Sequence, residues 1–180
     1  MILSAQQYAV LRRWFDAHPA VRRWVILLDR WLPLVPFVCY PVLLVLLNVR
    51  LVHLFAVRES AALDFMREIA RSILVPGITF WVCTVLRARL NFSRPYEQPG
   101  FVPLVAKETR GHSFPSRHAV SAAVLAAVWL YFYPVVGGVM VCLAVLIAAL
   151  RVLTGVHFLR DVVWGLALGL ALGLAGMWLL

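Results

Sequence analysis

The chain has 180 residues, 63% of them hydrophobic and 14% charged, with a formal net charge of +9 and a mean hydropathy of +0.89. A soluble domain carries about 25% charged residues, so this composition excludes an ordinary soluble fold, and the length allows one domain rather than two. Sixteen of the 17 basic residues are Arg, and they are split among long apolar runs; nucleic-acid binding fits poorly, which leaves anionic lipid or an acidic substrate as the partner.

In chain order, residues 5–15 are amphipathic and 20–32 are too short and too charged for an ordinary span. Residues 1–30 are therefore expected to form an interfacial N-terminal helical segment, with 20–32 the stretch that could enter the membrane as a sixth element. No apolar stretch ending in a small-residue cleavage site follows Arg12–Arg13 or Arg22–Arg23, so the N-terminus is expected to be retained. Crossing the hydrocarbon core takes about 20 apolar residues. The runs 31–49 and 162–180 meet that length, and 72–86 meets it if a helix begins near Asp64. Residues 119–150 carry no charge; as one helix they would reach about 48 Å across a bilayer core of about 30 Å. They must fold back, with Pro134 and Gly137–Gly138 marking the turn between spans at 115–132 and 135–152. The expected fold is all-α, an integral membrane helical bundle with five to six transmembrane helices, five of them in a membrane-embedded domain at residues 31–180.

A hairpin returns the chain to the side it left, so the polar segments 87–118 and 151–161 share one membrane face. Arg50, Arg58, Arg67 and Arg71 lie between the first two spans; the positive-inside rule puts that loop in the cytoplasm and the shared face outside. Cys39, Cys83 and Cys142 sit in apolar runs without zinc-ligand spacing or a disulfide framework, and read as small packing residues.

Three polar clusters carry the candidate chemistry. In the first, Arg87 and Arg94 are seven residues apart; on a continuous helix ended by Pro95 they would project from one face and could clamp a phosphate. Snorkelling of interfacial Arg is the plainer reading. The second, Ser113 to His118, stands at a helix entry, where Ser113 could cap and Pro115 suits the first turn. Free N–H groups, the Ser116 hydroxyl and His118 would face an anion there, although a well-capped helix would look the same. The third holds Arg151, His157 and Asp161. On a helix, His157 and Asp161 would meet at i, i+4, and a carboxylate on one imidazole nitrogen leaves the other as nucleophile. Asp161 is the only acid in the last 72 residues, and an ionisable residue at a span boundary is a functional candidate by default. Arg residues for charge on the equatorial oxygens, one His to attack phosphorus and one to protonate the leaving oxygen are the parts that metal-free phosphoryl transfer requires.

The order and spacing of these clusters resemble the type 2 phosphatidic acid phosphatase superfamily, which also contains vanadium haloperoxidases. Its signatures are Lys-x6-Arg-Pro, Pro-Ser-Gly-His and Ser-Arg-x5-His-x3-Asp. This chain reads Arg87-x6-Arg94-Pro95, Pro115-Ser116-Arg117-His118 and Leu150-Arg151-x5-His157-x3-Asp161. The resemblance implies that His157 is the nucleophile of a phosphohistidine intermediate, Asp161 orients it and His118 is the general acid. Arg87, Arg94, Ser116 and Arg151 would hold the phosphate, with the backbone around Arg117. It implies no cofactor and no metal, no obligate protein partner, and a site on the outer face of a bacterial plasma membrane. Arg87 stands for Lys, Leu150 for Ser and Arg117 for Gly. Arg117, with Lys107, Arg110 and His112 nearby in sequence, points toward a diphosphate headgroup, so undecaprenyl diphosphate ranks ahead of phosphatidylglycerophosphate and phosphatidic acid. The competing expectations are a haloperoxidase and a non-catalytic lipid-phosphate binding or transport protein.

Overall fold

The computed structural model describes residues 5–57 and 61–179. Seven α-helices follow in order among these residues: α1 Ala5–Ala17, α2 Pro19–Trp31, α3 Leu34–Ala56, α4 Ala62–Leu90, α5 Arg117–Phe132, α6 Pro134–Leu153 and α7 Leu159–Trp178. They form an all-helical membrane bundle. Four helical segments are long and apolar enough to cross a membrane, Pro19–Ala56, Ala62–Glu97, Pro134–Leu153 and Leu159–Trp178, and α5 is a shorter apolar helix. Arg58, invoked for sidedness, lies outside the described residues, as do residues 1–4 of the N-terminal segment.

The uncharged run 119–150 folds back as expected. Its turn is tighter than anticipated: Tyr133 alone separates α5 from α6, Pro134 begins α6, and Gly137–Gly138 lie inside that helix. Proline is well placed at a first helical position, where its missing N–H leaves no bond unmade.

Helix α5 is the axis of the bundle. Every residue from Ala119 to Trp129 is buried, and a helix apolar all round is one enclosed on all sides. Small residues let its neighbour come close. A Cβ built on Gly165 of α7 would lie 2.9 Å from Ala119 Cβ and 3.0 Å from the Ser116 carbonyl oxygen. One built on Gly169 would lie 2.5 Å from the Val120 carbonyl oxygen. Close small-residue packing of this kind replaces the hydrophobic drive that is absent between helices in lipid, and it sets the start of α7 directly against the start of α5. The outer faces carry Val38, Val42, Val45, Ile78 and Trp81, all exposed, as lipid-facing surfaces require.

The N-terminal helices pack onto this bundle. Tyr8 and Phe15 of α1 are buried, the Tyr8 hydroxyl donates to the Leu153 carbonyl at 2.9 Å, and its ring stacks on Phe101 with centroids 4.4 Å apart. Helix α2 keeps Trp24 and Trp31 exposed while burying Asp29.

Candidate active site

Both polar segments flanking the α5–α6 hairpin meet at one end of the bundle, as the topology demanded. Local geometry differs from expectation in three places. First, α4 stops at Leu90, with Asn91 in the left-handed region, and Arg94 is extended; Arg87 and Arg94 are therefore not two turns of one helix. The loop brings them together instead. Second, α5 begins at Arg117 with Ser116 at its N-cap position, so Ser113 caps nothing and Pro115 stands outside the first turn. Third, His157 lies in the loop before α7, whose N-cap residue is Phe158. It reaches Asp161 across a helix start rather than along a helix.

His157 and Asp161 are both buried, with Nδ1 3.6 Å from Asp161 Oδ2. Ser113 sits against both: its hydroxyl donates to Oδ2 at 2.5 Å and lies 3.4 Å from His157 Nδ1. The Phe158 N–H also donates to Oδ2, at 3.1 Å, and Arg160 Nε lies 3.4 Å from Oδ1. The carboxylate is thus held from several sides and faces one edge of the imidazole, leaving Nε2 as the nitrogen that can meet a substrate. Burial pushes the His157 imidazole below its ordinary range, with Arg94 and Arg87 adding in the same direction against the pull of Asp161. The ring is consequently neutral at pH 7, which is the nucleophilic form. Ser113 is a member of this group that sequence reasoning assigned only to capping.

The guanidiniums are anchored by backbone carbonyls. Arg87 Nη1 donates to the Pro115 carbonyl at 2.6 Å and to that of Ser113 at 3.3 Å; Arg94 Nε donates to the Gly111 carbonyl at 3.0 Å. Carbonyl anchors fix orientation without cancelling the charge, which leaves the pocket cationic. Arg151 differs, for its Nη2 donates to the Asp29 carbonyl at 3.0 Å and its Nε lies 3.4 Å from Asp29 Oδ1. Asp29 was also missed from the sequence. The rule that picked out Asp161, an acid at the edge of an apolar run, would have found it.

Ser116 is completely buried and its hydroxyl has no hydrogen-bond partner. An orphaned buried hydroxyl is costly, and one standing before the free N–H groups of a helix start is placed to meet an anion. The first bond of α5 runs from the Val120 N–H to the Ser116 carbonyl, so the N–H groups of residues 117–119 precede it. His118 and Arg117 are exposed at the rim. His118 lies within electrostatic range of Arg151, His157 and Arg117, and Arg87 within range of Arg94, Arg117 and Asp161. All eight candidate residues therefore converge. Of the other basic residues singled out, His112 Nδ1 contacts the Arg87 carbonyl at 2.9 Å. Lys107 and Arg110 line a polar cavity with Tyr96, Glu97 and Glu108, and Lys107 also lies within electrostatic range of His118 and Asp29.

A family model described as the PAP2 superfamily matches residues 68–180. The chain belongs to the PAP2 superfamily. That match takes in all three clusters of this PAP2 chain, with most of α4, which carries Arg87, and helices α5–α7. Phosphatidylglycerophosphatase B of Bacillus subtilis (strain 168) is 37% identical over 89 residues, covering 42% of this chain and 41% of that protein; the chain thus spans about two-fifths of the length of that curated relative. Two crystal structures share the fold. LpxE of Aquifex aeolicus aligns with a TM-score of 0.65 at 20% identity over 98% of this chain and 95% of that one. A transmembrane PAP2-type phosphatidylglycerolphosphate phosphatase from Bacillus subtilis aligns with a TM-score of 0.51 at 24% identity, covering 94% and 90%.

Proposed function

We propose that this PAP2 protein is a metal-independent lipid phosphatase that works through a phosphohistidine. The observation that carries the reading is the buried His157–Asp161–Ser113 group facing a cationic pocket beside the orphaned Ser116 hydroxyl. Arg87, Arg94 and Arg151, with the hydroxyl and the α5 N–H groups, hold the three equatorial oxygens. His157 Nε2 attacks phosphorus, the bond to the leaving oxygen breaks, and His118 delivers the proton that oxygen needs. Water then attacks phosphorus as His118 takes its proton, the P–N bond breaks with its electron pair returning to His157 Nε2, and inorganic phosphate leaves. Guanidiniums already neutralise the developing charge, the role a metal ion would otherwise fill.

The surroundings favour a lipid. His118 and Arg117 share with Phe37, Phe80 and Ser121 a cavity of about 210 Å³. Phe37, Phe80 and Ser121 also line an adjoining apolar cavity of about 160 Å³ with Tyr40, Pro76, Val120, Val124 and Leu125. A headgroup at His118 would thus have its tail among apolar side chains. Phe80 is 44% exposed, so Phe80→Ala is expected to fold normally. It should raise KM for a long-chain lipid phosphate by roughly tenfold, the equivalent of losing part of one aromatic burial. KM for a short-chain, water-soluble phosphate should stay unchanged, and steady-state kinetics on the two substrates reads the difference.

Undecaprenyl diphosphate is the substrate the site itself favours. Arg117 is exposed beside His118 and makes no ion pair among the described residues, so its charge is available to a second phosphate. Phosphatidylglycerophosphate is the second reading, favoured by the names of the Bacillus relatives. Phosphate release from both lipids and from phosphatidic acid, in excess EDTA, separates the readings. Arg117→Gly is expected to lower kcat/KM about tenfold on the diphosphate, the cost of one charged contact, and to spare the monophosphates. Equal losses on all three would place Arg117 outside diphosphate recognition.

The protein is a multi-pass membrane protein, and we assign it to the plasma membrane with the site on the outer face. Support comes from Arg50, Arg67 and Arg71 at the opposite end of the bundle, where Arg50 lies over Phe65, Arg67 pairs with Asp64 at the start of α4 and Arg71 Nη1 donates to the Met177 carbonyl at the end of α7. The described part of the N-terminal segment, residues 5–30, is assigned to the interface, an assignment supported by the exposed Trp14 and Trp24.

A further inference from the structure

We propose that Asp29 is a positioning residue of the phosphate site, and that the N-terminal helices are through it a working part of the catalytic centre. The inference rests on the phosphatase reading above. Asp29 is 4% exposed and Arg151 5%, and 122 positions of sequence separate them. The backbone carbonyl of Asp29 accepts from Nη2 at 3.0 Å, and its Oδ1 forms an ion pair with Nε at 3.4 Å, where Nε itself makes no hydrogen bond. The Thr154 hydroxyl donates to the Leu150 carbonyl at 2.8 Å and lies 3.4 Å from the same Oδ1, so the carboxylate packs against the turn that follows Arg151.

Four considerations separate this contact from ordinary packing. A buried carboxylate without a cation is strongly destabilising, so α2 and Arg151 are bound to each other's placement. Arg87, Arg94 and Arg151 all donate to neutral carbonyls, but among the described residues Arg151 is the one of the three with an ion-paired carboxylate beside it. The same turn is braced a second time from the N-terminal side, by the Tyr8 hydroxyl on the Leu153 carbonyl. The family match begins at residue 68, so the partner of this motif arginine comes from a part of the chain that the family pattern does not describe.

Two roles for Asp29 make opposite predictions. A carboxylate that merely offsets the charge of Arg151 competes with phosphate, and its removal tightens anion binding. One that aims the guanidinium makes the site ready for phosphate, and its removal weakens binding. The test is orthovanadate binding, by calorimetric titration of the detergent-solubilised full-length protein, in the native sequence, Asp29→Asn, Arg151→Lys and the double variant. Aiming predicts that Asp29→Asn weakens orthovanadate about tenfold, the lower end of what is lost when the residue behind a ligand group is removed. The same substitution should cost less than about twofold in the Arg151→Lys background, because the two residues act as one unit. Asp29→Glu keeps the charge and shifts the carboxylate by one methylene, and is expected to fold and weaken binding several-fold. Tighter binding in Asp29→Asn, unchanged binding in Asp29→Glu, or an equal loss in both Arg151 backgrounds overturns the proposal. A native protein that neither binds orthovanadate nor releases phosphate from any of the three lipids overturns the phosphatase reading itself, and this inference with it.

Discussion

Replacing His157 with Ala is expected to slow phosphate release by at least about 10⁴-fold, the scale seen when a covalent nucleophile is removed. His157 is 4% exposed, and its Nδ1 faces the Asp161 carboxylate and the Ser113 hydroxyl. A buried histidine that only fills space would also be packed, but its removal would lower the melting temperature and leave the remaining chemistry intact. Rate and melting temperature measured together separate the cases, since the nucleophile role predicts a lost rate in a folded protein. The same residue sets the acid side of the pH profile. Burial holds the His157 pKa below the ordinary imidazole value of about 6.5. The neutral, active form therefore persists as pH falls through 6.5, and the acid limb of kcat/KM lies below that pH.

His118→Ala is expected to lower the rate on alkyl phosphates by about 10² to 10⁴-fold, the usual contribution of a general acid. An alkoxide is a poor leaving group and needs the proton that His118 supplies from the rim of the pocket. A nitrophenyl phosphate leaves without help, so the same variant should lose far less of the first step on that substrate. His157→Ala should be inactive on both. Comparison of single-turnover rates for the two substrates in the two variants therefore assigns the roles, and an equal loss of both substrates in His118→Ala would remove it from the acid position.

The local and the periodic parts of this molecule were legible in its sequence. The lengths of the apolar runs located α3 to α7, because a bilayer imposes a length that composition must meet. The uncharged run 119–150 forced a hairpin, and the hairpin forced Arg87 and His157 to one end. Motif spacing named the eight candidate residues, which the fold brings to one end of the bundle. What the sequence concealed lies in the irregular backbone and in distant contacts. Arg94 was read onto a helix, but Asn91 ends α4 in the left-handed region, and spacing rules for helices say nothing about a loop. Ser113 was read as a cap because it precedes a helix; its hydroxyl instead binds Asp161, 48 positions away. Asp29 was obscured because α2 was considered for its length and charge and not for what it could bury. No periodicity links it to Arg151.

The central claim is a covalent bond between His157 and phosphorus, and rapid quenching with a ³²P-labelled lipid phosphate tests it most directly. The account predicts a transient label on the native protein that is stable in base, labile in acid, located at residue 157, and absent from His157→Ala. Turnover without any such label, or a label retained in His157→Ala, would contradict it.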